Sequence, residues 1–313
     1  MSNRTIGFLL AALGSVLFAG KAIAVKFTYR YGIDPVTLIA FRMLFALPFF
    51  AVIAWHETRR ARRNGVPPLT RQEKLRIVLL GLIGYYLSSF LDFIGLQYVS
   101  AGLERAILFL SPTFVLLMTA FWLKRPIARA QWVAMALAYA GVLLVFVQDI
   151  RFGGGQVMLG SLCVLGAAFS YACYLIGAGE LIKRVGSTRL VAYAMCTSCV
   201  VVLLQFFIVH DVGVLLAQPA GVYGWSLIHA TLNTVLPVFM IMWSVERIGA
   251  AMSAQLGMLG PISLLFMAAW WLDEPLTLWH LGGTVLVIMG TYVLTRVRTP
   301  SPDTNTTSAR SKI

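Results

Sequence analysis

A long stretch of this chain occurs twice. The residues from Gly95 to Phe146 recur between Ser244 and Thr295, 149 positions further on. Pro112, Pro126 and Gly141 reappear as Pro261, Pro275 and Gly290, Phe121-Trp122-Leu123 as Trp270-Trp271-Leu272, and Ser100-Ala101 as Gly249-Ala250. A period this long marks one structural unit used twice. Runs of about 20 apolar residues are long enough to cross a bilayer. Ten are predicted, at 4–29, 35–57, 75–99, 101–122, 128–148, 155–179, 188–210, 219–246, 250–272 and 276–296, five to a unit. Five is odd, so the second unit enters the bilayer from the opposite side. The expected fold is an all-α membrane protein of ten transmembrane helices in two inverted five-helix repeats, 1–150 and 151–298. Such halves alternate access to a site between them. The pattern constrains the machine and leaves the cargo open.

Composition supports the membrane reading. The chain is 59% hydrophobic and only 12% charged, about half the charged share of globular domains, so its surface must face lipid. The net charge of +13 raises the possibility of nucleic acid, but Lys and Arg do not form a face with interleaved aromatics. Nineteen of the 25 flank the spans on the side of the N-terminus, against Arg30 and Arg151 on the other. The second side holds Asp34, Asp149, Asp211, Asp273 and Glu274. By the positive-inside rule, both termini are cytoplasmic. From Thr299 the chain turns to Ser, Thr, Pro and Asn, and 299–313 is expected to be a disordered cytoplasmic tail. The basic, apolar start could be taken for a cleaved signal, but Lys21 interrupts it and Leu10–Gly14 is echoed by Leu162–Gly166. It reads as a retained first helix.

Within the repeats, Ser100-Ala-Gly-Leu-Glu104, Leu110-Ser-Pro112, Phe121-Trp-Leu-Lys-Arg-Pro126 and Ala140-Gly-Val142 resemble an EamA-type repeat. So do Gly249-Ala-Ala-Met-Ser253, Leu259-Gly-Pro261, Trp271-Leu-Asp-Glu-Pro275 and Gly290. This is the ten-helix branch of the drug/metabolite transporter superfamily, and the likeness is nearest to bacterial exporters of amino acids, aromatic ones included. The resemblance implies a secondary transporter in the bacterial inner membrane, a monomer or homodimer, that exports amino acids or similar small zwitterions. A broader drug or metabolite exporter is the alternative within the class, and an intramembrane enzyme of lipid or prenyl chemistry the alternative outside it. The first repeat has Lys124-Arg125 where the second has Asp273-Glu274, which leaves the acidic position without a counterpart.

No His-Glu-x-x-His, phosphate-binding loop or Gly-x-Ser-x-Gly is present, and no catalytic residue, cofactor or metal is expected. Cys196-x-x-Cys199 has ligand-like spacing, but no second pair lies near it, and all four cysteines read as buried thiols. Intramembrane charges cost about 2.5–3.5 kcal/mol each on insertion scales, so each asks for a reason. Lys21 shares a helix stripe with Gly7 and Gly14, while Tyr85, Ser88, Ser89 and Asp92 share a stripe on the third helix. At 1.5 Å per residue Lys21 and Asp92 fall within about 3 Å in depth, and they are expected to meet. The pair reads equally as a structural ion pair or as a substrate or gating site.

Lys26 and Arg42 lie nearer the membrane surface, where snorkelling explains them, although Arg42 and Glu104 are also candidates for an outer gate. The helix dipole suffices to explain Glu104. His229 and Asn233, four apart, read as packing groups or as a substrate or proton site. Tyr171, Tyr174 and Trp243 read as packing or as cavity-lining aromatics facing a substrate ammonium. Pro112 and Pro261 are paired hinge candidates. By repeat offset, Lys21 falls opposite Cys173, Arg42 opposite Met195, Asp92 opposite Ile241 and Glu104 opposite Ser253. An outer gate closed by charges and an inner gate closed by apolar packing and Gln255 is the expectation.

Overall fold

The computed structural model describes residues 3–123, 127–153 and 155–296. The described residues form helices and turns, with no strand. We number ten apolar helices in chain order. They are α1 (Asn3–Tyr29, interrupted at Gly20), α2 (Pro35–Arg63), α3 (Arg71–Leu96), α4 (Ala101–Leu108 continued by Ser111–Leu123), α5 (Arg129–Gly153), α6 (Gln156–Val185), α7 (Ser187–Val209), α8 (Ala220–Ile248), α9 (Ala250–Gly257 continued by Leu259–Trp271) and α10 (Leu278–Arg296). The first eight are long and apolar enough to cross a membrane. The other two have shorter uninterrupted apolar stretches, Leu259–Trp271 and Leu278–Val293. The tail beyond 296 lies outside the described residues.

Local chemistry explains where helices start and bend. Asp34 caps α2 by accepting from Val36 N at 2.8 Å and Thr37 N at 3.1 Å, with Pro35 supplying the first helical φ. Partial burial pushes its carboxyl up, but the Thr37 hydroxyl and amide and the nearby His210 outweigh that and hold it below the usual carboxylate range. Thr70 and Glu73 form a capping box at the start of α3. Pro112 has no N–H for the Leu108 carbonyl, so α4 is interrupted at Phe109-Leu110, and Ser111 Oγ donates to Leu108 O at 2.7 Å instead. The same happens 149 residues on. Pro261 leaves the Gly257 carbonyl free, α9 is interrupted at Met258, and Ser15 Oγ of α1 donates to Gly257 O at 2.9 Å. A wider π turn occupies Leu82–Leu87 of α3, and another begins 149 residues later at Thr231–Val235 of α8.

Helix partners follow a pattern. α1 packs on α8 and α9, α6 on α3 and α4, α2 on α7, α4 on α9, and α5 on α10. Exchanging each helix for the one five places along turns the first set into the second and returns the last three pairs to themselves. The α5–α10 contact shows what sets the spacing: a Cβ on Gly141 would stand 2.4 Å from Gly283 O, and one on Gly290 would stand 2.5 Å from Ala134 O. Small residues let these backbones touch, which is how helices associate where lipid offers no hydrophobic drive. The outward faces carry exposed apolar side chains such as Leu13, Val52, Leu143, Leu204 and Ile208. Only a bilayer covers a surface of that kind.

Candidate functional site

The charged residues of the spans gather at one level of the bundle. We call the bundle end carrying the α1–α2 and α3–α4 turns the far end, since the N-terminus lies at the other. In the far half, Lys21 Nζ of α1 is hydrogen-bonded to Asp92 Oδ2 of α3 and lies 3.0 Å from Glu104 Oε1 of α4. Glu104 Oε2 faces Arg105 Nε at 3.9 Å, and Arg105 Nη2 donates to the Phe18 and Ala19 carbonyls, each at 3.4 Å. These carbonyls immediately precede the interruption of α1 at Gly20. Asn233 Nδ2 of α8 donates to the Leu17 carbonyl there at 2.6 Å. Polar side chains from α4 and α8 therefore take up carbonyls around the interruption, as a membrane interior requires. All four charged groups are buried, Glu104 completely.

The cluster extends along α3. Arg42 of α2 donates from Nη2 to Ser89 Oγ at 3.0 Å and rests over the Phe93 ring, 5.1 Å from its centroid. His229 of α8 stacks on the same ring at 5.4 Å with an interplanar angle of 14°. Both His229 ring nitrogens, Asp92 Oδ1, Asn233 Oδ1 and Arg42 Nε are buried without a hydrogen-bond partner. Unsatisfied buried polar groups cost about 1–3 kcal/mol each, and more when charged, so native proteins keep them few. Here they concentrate around one group of helices.

The sequence candidates thus divide. Lys21, Asp92 and Glu104 form one ion cluster, with Ser89, Arg42, His229 and Asn233 beside it. Tyr85 and Tyr174 meet separately, with hydroxyls 3.1 Å apart, and Tyr171 stacks on Tyr174 at 5.7 Å. Tyr171 and Trp243 are 37% and 47% exposed, so they do not join the buried cluster. Pro112 and Pro261 follow the interruptions in α4 and α9. The Gln255 side chain lies outside the described residues.

One expectation is corrected. Arg42 does not snorkel: at 5% exposure it is held inside by Ser89 and Phe93. Lys26, nearer the far end, pairs with Glu274 Oε1 at 3.3 Å. Glu104 also has more than a dipole to explain it, since Lys21 meets it directly.

A second polar group closes the far end, and sequence reasoning did not assign it. Asp273, at φ 57°, turns the chain sharply after α9 and presents Glu274. Both Glu274 oxygens accept from Ala101 N at 3.1 Å, at the start of α4. Asp149, near the end of α5, accepts from Ser100 N at 2.9 Å and pairs with His280 Nε2 of α10 at 3.2 Å. These groups border a cavity of about 270 Å³ lined by Lys26, Gln97, Tyr98, Asp149, Glu274 and His280. The available signal was the Asp273-Glu274-Pro275 segment, whose first-repeat counterpart is Lys124-Arg125-Pro126. Among the described residues no three His, Cys, Asp or Glu side chains are grouped to hold a metal ion.

An all-helical bundle with a lipid-suited surface, paired helix interruptions and a buried charge cluster is that of a multi-pass membrane protein. The EamA-like transporter family matches residues 5–147 and again 158–296, and the chain belongs to that family. It is 31% identical to the uncharacterized transporter YcbK of Bacillus subtilis, over 91% of this chain and 92% of that protein. It is 28% identical to a probable amino-acid metabolite efflux pump of Escherichia coli, over 62% of this chain and 67% of that one. A solved structure with 15% sequence identity shares the fold, with a TM-score of 0.60 over 93% of this chain and 96% of that chain.

Proposed function

We propose that this protein exports amino acids or similar small zwitterionic metabolites across the bacterial inner membrane by alternating access between two inverted five-helix halves, 1–150 and 151–298. On this reading both termini are cytoplasmic and the far end faces outward. The protein works as a monomer or homodimer, and its partners are the bilayer and the small solute rather than nucleic acid. The observation that carries the reading is the placement of charge. Lys21, Asp92, Glu104 and Arg105 are packed in the outer half, while their repeat counterparts Cys173, Ile241, Ser253 and Ala254 bear no charge. One gate is therefore held by ions and the other by apolar contact and Gln255, so the two differ in what opens them. The matched interruptions before Pro112 and Pro261 and the matched π turns supply flexible points in both halves. The exchange pattern of helix partners supports the inverted relationship. Vacant acceptors on Asp92 and Asn233 suit an ammonium group, and the name of the Escherichia coli relative favours amino acids.

Counterflow of radiolabelled amino acids in proteoliposomes tests this, with and without a pH gradient. Saturable exchange without a new chemical product is expected. Failure of every amino acid, with uptake of unrelated hydrophobic cations, would move the protein to the drug-exporter reading. Cysteine labelling that places residues 30–34 and the 64–70 turn on one side of the membrane would reject the topology.

A further inference from the structure

Within this cluster the buried charges do not balance. Lys21, Arg42 and Arg105 supply three cations, while Asp92 and Glu104 supply two anions. Lys21 already meets both carboxylates, and Arg105 meets Glu104. The cation left over is Arg42. Among the described residues no carboxylate lies within ion-pairing distance of it; its polar contacts are the Ser89 hydroxyl and, at 4.0 Å, the Met43 sulfur. A guanidinium carries five N–H donors in a fork shaped for a carboxylate. Inside a membrane bundle a lone guanidinium is costly, and it persists where a counter-ion visits.

The surroundings suit one kind of visitor. Ser89, Asp92 and Phe93 lie at i, i+3 and i+4 on one face of α3, and Arg42 touches the two that flank Asp92. Asp92 itself is turned to Lys21. Arg42 thus stands beside a carboxylate that is engaged elsewhere. His229, fully buried on the same Phe93 ring, has two ring nitrogens without partners. One of them carries a hydrogen in any protonation state and can donate.

We propose that Arg42, with His229 against the same Phe93 ring, is the docking point for a carboxylate on the transported molecule. The ligand class is then any small solute bearing a carboxylate, whether an amino acid or an oxo acid, and amines lacking one are excluded. In the conformation described these groups are packed closed, so admission requires α2 and α8 to part. The assignment rests on the transport reading for the ligand's identity as cargo.

The test uses full-length protein in detergent and two matched sets of probes: leucine, 4-methyl-2-oxopentanoate and isoamylamine; phenylalanine, phenylpyruvate and phenethylamine. Thermal unfolding is followed as each is titrated. The acids of at least one set are expected to raise the unfolding temperature, and the amines are not. In Arg42→Gln the half-saturating concentration of the acids should rise at least tenfold. The unliganded variant should melt no lower than the wild type, since an unpaired buried charge has gone. Arg42→Lys keeps the charge without the fork, and it guards against misfolding of the first variant: a response several-fold weaker supports the site. Amines that protect as well as the acids, no protection by any acid, or an undiminished response in either variant would overturn it. Acid-specific protection without counterflow of any probe would sink the transport reading and leave the carboxylate site standing.

Discussion

Glu274 accepts the amide of Ala101 with both carboxylate oxygens at 3.1 Å, joining the corner after α9 to the first residue of α4 across a separation of 173 positions. The amide is one of the unpaired donors at a helix start, where the helix dipole favours negative charge. Lys26 of α1 neutralises the same carboxylate. Three helices from both repeats therefore meet at one side chain. Its counterpart by repeat offset is Arg125, whose charge cannot serve a helix start in this way.

Glu274→Gln should loosen this clasp. Removing a charge at a helix start costs about 1 kcal/mol, which corresponds to roughly a fivefold shift between closed and open populations. Labelling of a cysteine introduced at Gln97 by an impermeant reagent should accelerate by about that factor from the far side. Unchanged labelling would show that the clasp does not hold the gate.

Lys21 has two acidic partners, so its removal and that of Asp92 should differ. Lys21→Met strands Asp92 and leaves Glu104 only the longer contact with Arg105, and it should lower stability by about 3–5 kcal/mol, as when a buried pair loses one member. Asp92→Asn leaves Lys21 with Glu104 and should cost clearly less. The double variant should recover part of the Lys21→Met loss. Thermal unfolding of the purified proteins measures all three, and strictly additive losses would reject the coupling.

The prolines should act as a pair. Pro112→Ala and Pro261→Ala each restore an amide for the Leu108 or Gly257 carbonyl and remove the cause of the interruption. Each should slow counterflow by about tenfold while leaving the melting temperature unchanged or higher, the pattern of a hinge made stiff. Amide hydrogen exchange at 108–114 and 257–263 should slow in the respective variant. An effect on exchange without one on transport would remove the hinge role.

The Asp34 cap predicts a pH dependence. Its carboxyl titrates below the ordinary value in the folded chain, so its contribution is complete above the unfolded carboxylate pKa of about 3.9. That contribution is lost as pH falls through the lower folded value. The difference in melting temperature between wild type and Asp34→Ala should therefore shrink as pH falls below about 4. A gap that grows below about pH 4 would reverse the assignment.

Much of the molecule was legible from residues read in order. Apolar runs and the turn residues between them place helices, because a backbone in lipid must satisfy its own hydrogen bonds locally. The prolines announced their interruptions for the same local reason, and the repeat implied that what happens before Pro112 happens before Pro261. The meeting of Lys21 and Asp92 followed from matched depth, which the rise per residue sets. Depth did not reveal Glu104 as a second partner of Lys21, nor that Arg42 turns inward to Phe93 instead of outward.

The apolar helices, their caps and their breaks follow from the order of residues, because these depend on neighbours a few positions away. Which carboxylates Lys21 meets, and that Arg42 has no carboxylate within ion-pairing distance among the described residues, was set by the tertiary structure. Those outcomes depend on how each helix is rotated and how closely it crosses the next, as where Gly141 lets α5 touch α10 or Asp273 swings Glu274 onto Ala101. A rotation of one residue, about 100°, moves a side chain from lipid to core, and only the packing of all ten helices together selects it.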